Sequence, residues 1–90
     1  MIGEQLGSGV RGTVIAAIQH ADRSDVVVVL VKVERYSGTE YVTGLMRFDG
    51  DGLLGDEWDD GRYHRDLPRA LVHLAERSGH VPYNALTWNN

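Results

Sequence analysis

The sequence predicts an α+β domain: an antiparallel β-meander of three to five strands with one C-terminal α-helix packed on it. Three observations carry this expectation. Residues 25–35, DVVVVLVKVER, form a β-branched run; turn-forming residues flank it on both sides; and residues 66–78, DLPRALVHLAERS, have helical periodicity with caps at both ends.

The β-branched run is the centre of the chain. Branching at Cβ stiffens χ1 and suits a pleated surface. On strand geometry Val27, Val29, Val31 and Val33 share one face, and Val26, Val28 and Leu30 share the other. The second face turns polar at Lys32 and Glu34, which predicts a strand covered on one face and half covered on the other.

Residues 1–12 contain Gly3, Gly7, Gly9 and Gly12 and read as a flexible lead-in, or a loosely attached one. Residues 13–20, TVIAAIQH, fit two patterns. As a strand, Val14, Ala16 and Ile18 share a face; as a helix, Val10, Val14, Ala17, Ile18 and Ala21 form a stripe. We take the strand, because ADRS at 21–24 makes a short hairpin connection into the valine run. Residues 36–39, YSGT, form the next turn. Residues 40–48, EYVTGLMRF, form the third strand, with Gly44 marking a bulge or a close backbone approach. The meander therefore spans 13–48.

Residues 49–61, DGDGLLGDEWDDG, are acidic and glycine-rich, with Leu53, Leu54 and Trp58 as apolar anchors. Asp-Gly occurs three times there, each a source of positive φ for a tight turn. A loop or long hairpin is expected, with short strands near Trp58 and at 62–64. In the helix Asp66 caps the first turn and Pro68 sits where its missing N–H matters little. Leu67, Ala70, Leu71, Leu74 and Ala75 line one face. Arg77 suits the negative end of the helix, and Gly79 suits a left-handed cap. The tail 81–88, VPYNALTW, is too apolar to stay in water without cost, and Pro82 argues against a central strand.

Composition narrows the function classes. Ninety residues make one domain, with little room for a large internal cavity, so no cofactor is expected. There is no cysteine, which removes disulfides, thiolate zinc sites and cysteine nucleophiles. Residues 1–10 have no basic start and no apolar core, and the longest apolar run is 26–31; a cytoplasmic protein with no membrane contact is expected. Formal net charge is −4, which argues against a general nucleic-acid coat. Of the basic residues eight are Arg and one is Lys32.

Two clusters are candidates for binding. Asp49, Asp51, Asp56, Glu57, Asp59 and Asp60 form an acidic patch that would steer association with a basic protein partner. They do not make an EF-hand. Counting from Asp49, the fifth and sixth positions are Leu53 and Leu54, and the twelfth is Asp60 rather than Glu. The second cluster is Arg62, Tyr63, Arg65 and Arg69, joined in sequence by Arg77, and it would suit an oligonucleotide. His20, His64, His73 and His80 lack the spacing of a zinc helix, and His73 falls beside the polar face of the helix. Ser8, Ser24, Ser37 and Ser78 have no nucleophile motif around them, and no phosphate-loop signature is present. No catalytic or metal-binding residues are assigned.

Residues 58–77 read W-x-x-G-x-Y-x-x-D-L-x-x-A-x-x-x-L-x-x-R, carried by Trp58, Gly61, Tyr63, Asp66, Leu67, Ala70, Leu74 and Arg77. This resembles a strand-turn-helix pattern in small uncharacterised proteins of phages and plasmids. His64 stands where that pattern has another large aromatic. The resemblance implies a sheet with a packed helix and a mobile-element origin, and hence an inhibitor of a host defence system, including the anti-CRISPR kind. The reading from the whole sequence is a non-enzymatic protein-interaction module that binds, and inhibits or regulates, a protein partner. An oligonucleotide-binding domain is the alternative, and a metal-dependent enzyme the third. Apolar surface on the half-covered face and on the 81–88 tail predicts a homodimer.

Overall fold

The β-branched run produces the predicted meander and lies at the centre of the sheet. The computed structural model describes residues 2–3, 5–6, 12–49, 52–55 and 57–80. Its strands are β1 (Gln5–Leu6), β2 (Gly12–Gln19), β3 (Val26–Arg35), β4 (Gly38–Asp49), β5 (Gly52–Leu53) and β6 (Asp59–His64), followed by the helix α1 (Leu67–Arg77). All pairings are antiparallel, in the order β1-β2-β3-β4-β5, and β6 also pairs with β4. This is the α+β architecture expected, with one helix on one curled sheet.

The two faces of β3 bury differently. Val27, Val29, Val31 and Val33 pack with Leu6, Val14, Val42 and Met46, and Phe48, Leu53 and Trp58 cover that cluster. Val28 and Leu30 meet Ala70 and Leu74 of α1 on the other face. Beyond the helix this second face ends in the Lys32–Glu34 ion pair, at 3.3 Å. The 81–88 tail, one source of the homodimer expectation, lies outside the described residues.

Several local expectations change. The segment 1–12 is not simply a lead-in: Gln5–Leu6 pairs with β2, and Leu6 is buried in the main core. In β2 the register shifts between Val14, opposite Val31, and Ala16, opposite Leu30. Ile15 is the extra residue of a β-bulge, which reverses the alternation. Val14 therefore faces the main core, while Ala16 and Ile18 face the helix, and the three do not share a face. The segment 49–61 takes the hairpin alternative: β4 runs to Asp49 and β5 returns against it, and the short strand expected at 62–64 lies within β6, which begins at Asp59.

Helix α1 is capped as its sequence implies. The Asp66 carboxylate accepts from the Arg69 amide at 2.8 Å, and Gly79 has φ +79°. Its buried face differs from the expected stripe. Ala70 and Leu74 are buried and Leu67 is half-buried, but Leu71 is 46% exposed. His73 and Arg77 turn toward the sheet instead, because each has a partner there.

Trp58 explains two glycines. It folds over Gly44 and Gly61, and a Cβ at Gly44 would lie 2.6 Å from the Trp58 Cβ. At Gly61 a Cβ would lie 2.7 Å from the indole Nε1. Gly44 is both a close approach and the site of the register shift between Thr43 and Leu45 against β6. The spacing of Trp58 and Gly61 in the 58–77 pattern is thus a packing requirement of this fold. Gly44→Ala should cost about 1–3 kcal/mol by overpacking. A urea midpoint equal to the parent's would show that Trp58 moves aside freely.

Candidate interaction surface

Strand β6, DDGRYH, has no apolar alternation of its own. Pairing with β4 holds it, with Tyr41 opposite His64, Val42 opposite Tyr63 and Thr43 opposite Arg62. Among the described residues nothing pairs with its outer edge. Asp60 has φ +51°, a left-handed conformation that Asp tolerates, and it lies where the register shifts.

Tyr63 stands on the face of Val42 and is 53% exposed. The Arg35 guanidinium lies 5.9 Å from its ring centroid, a cation–π contact that props the ring. Arg35 also pairs with Glu40 at 3.4 Å. Arg62 and Arg69 are exposed but occupied: Arg62 Nε donates to Asp60 at 3.3 Å, and Arg69 Nε lies 3.6 Å from Asp66. Arg65 is exposed and meets no carboxylate among the described residues.

Arg77 does not belong to this basic side. Its Nη1 donates to the Thr43 carbonyl at 2.6 Å and the Thr43 hydroxyl at 2.8 Å. Its Nη2 donates to the Asp60 carbonyl at 2.6 Å and carboxylate at 3.0 Å. Burial lowers its pKa from the ordinary value, and Asp60 opposes that shift.

The acidic candidates are dispersed. Asp49 ends β4, Glu57 is exposed ahead of β6, and Asp59 and Asp60 lie in β6. Asp51 and Asp56 lie outside the described residues. Asp60 holds Arg62 and Arg77, whereas Glu57 and Asp59 form no ion pair among the described residues. Among the described residues no three His, Asp or Glu side chains gather as a metal site. The structure therefore places parts of both candidate clusters, Asp59, Asp60, Arg62 and Tyr63, on one strand. Arg35, paired in space with Tyr63 across β3 and β6, carries no signal in the local sequence.

His64 and His73 were not paired by sequence, and His73 is not simply solvated. Their ring centroids are 4.4 Å apart, tilted by 36°. His64 Nε2 is buried with no hydrogen-bond partner. Desolvation lowers the His64 pKa, and the charges of His73, Arg77 and Arg69 add to this against Asp66.

No family model matches the chain, and neither does a curated protein or a solved structure. Among the described residues no helix is long and apolar enough to cross a membrane.

Proposed function

We propose that the chain is a non-enzymatic protein-interaction module that takes an extended segment of a protein partner along the outer edge of β6. The observation that carries this reading is the unpaired edge beside an exposed, propped Tyr63. An edge strand offers backbone donors and acceptors that an added strand satisfies, while side-chain anchors give specificity. Tyrosine is a favoured anchor because it presents a large amphipathic surface with few rotors. Glu57 and Asp59 at one end of the strand and Arg65 beyond the other form a charge gradient that orients the segment. Inhibition or regulation of the partner, of the kind mobile elements direct at host defences, is what the phage-and-plasmid-like pattern in 58–77 adds.

The oligonucleotide alternative uses Tyr63 with Arg62, Arg65 and Arg69. Carboxylates already neutralise Arg62 and Arg69, which leaves fewer charges to displace counterions from phosphates. Peptides selected from a displayed random library should perturb backbone amides at 59–65 and lose at least about tenfold affinity on Tyr63→Ala, the scale of an interface hot spot. Tyr36→Ala, at the exposed β3–β4 turn, should leave affinity unchanged. Selected peptides that map elsewhere would overturn the edge assignment. Binding of a single-stranded oligonucleotide with steep salt dependence would favour the alternative.

A further inference from the structure

The contact between His64 of β6 and His73 of α1 joins the helix to the edge strand. Two neutral imidazoles pack well at 4.4 Å between centroids. A proton gives an imidazole a second N–H and a full positive charge. On His64 that charge would enter a site where Nε2 is buried without an acceptor.

The surroundings are mostly of the wrong sign for it. From α1, His73, Arg69 and Arg77 face His64, and from the preceding turn Asp66 alone opposes them. From β4 its cross-strand neighbour is the neutral phenol of Tyr41, and behind Tyr41 stands Lys32 of β3. Glu76 follows His73 by three residues on α1, with both carboxylate oxygens buried and unpartnered.

We infer that the His64–His73 contact is a pH-sensitive latch, which holds α1 on β6 while His64 is neutral and loosens when His64 is protonated. The lowered pKa of His64 agrees with this. A folded-state pKa below the unfolded value of about 6.5 gives stability that is complete above that pH. The stability is then lost as pH falls from about 6.5 toward the folded value. His20 and His80 lie elsewhere: His20 Nδ1 accepts from the Asp22 amide, and His80 Nε2 meets the Gln19 carbonyl.

The test uses the free, full chain and needs no partner, so it stands apart from the docking proposal. Amide hydrogen exchange is measured at pH 7.5 and pH 5.5 with correction for intrinsic rates, beside an NMR titration of the histidines. Protection in α1 should fall at least about tenfold at the lower pH while β3 keeps most of its own, and His64 should titrate below about 6.5. His64→Phe, which keeps a ring, and His64→Gln, which does not, should each abolish the α1 loss; His20→Gln should retain it. Unchanged α1 protection in the parent would overturn the latch. So would an equal loss in β3, a His64 midpoint in the parent at or above about 6.5, or the same loss in both His64 variants.

Discussion

Leu74→Ala should destabilise the domain by about 2–5 kcal/mol, whereas Leu71→Ala should cost under about 1 kcal/mol. Leu74 is 3% exposed and packs with Val28, Leu30 and Ala70. Removing its methyl groups leaves a cavity between helix and sheet that close packing cannot readily refill. Leu71 sits on the same helix at a spacing that also suits burial, yet it is turned outward. The rotation of α1 about its axis follows from Arg77 and His73, whose partners lie on β4 and β6. Urea denaturation of both variants checks this. Equal losses would mean that α1 is docked on a different face.

Arg77→Met should cost about 3 kcal/mol, near the lower end for breaking a buried charge pair. The change keeps the apolar stem and removes the four hydrogen bonds that tie α1 to Thr43 and Asp60. The Arg77 side chain is only 13% exposed, and Thr43 is wholly buried. Its carbonyl and hydroxyl would lose a charged donor where water has little access. Asp60 is half exposed, which tempers the loss on that side. Arg62→Gln provides the comparison. Its pair with Asp60 is solvent-exposed, and the change should stay within about 0.5 kcal/mol. If the two variants melt together in urea, Arg77 is not a tether. The measurement also bears on the docking edge, because the bulge at Asp60 sets where the regular part of β6 begins.

The central meander and the ends of the helix were legible from residue order because their causes are local. The continuous β-branched run defines β3 whatever surrounds it. The 21–24 and 36–39 turns set antiparallel neighbours, and Asp66 and Gly79 act on backbone groups within a few residues of themselves. Tyr63, Arg62 and Arg65 could be singled out from residue type alone. Their setting could not. Residue order pointed only to a short strand at 62–64; pairing with β4 extends β6 back to Asp59 and leaves it an outer edge. The bulge at Ile15 depends on the partner register of β3, which local alternation does not encode. Asp60 and Arg77 looked like members of opposite surface clusters, and through-space geometry joined them into one tether. His64 and His73 lie on different elements, and their contact exists because β6 and α1 fold against each other. Short-range backbone preferences thus determined the elements. Long-range packing and electrostatics decided which faces meet, which charges are already matched, and which edge remains open.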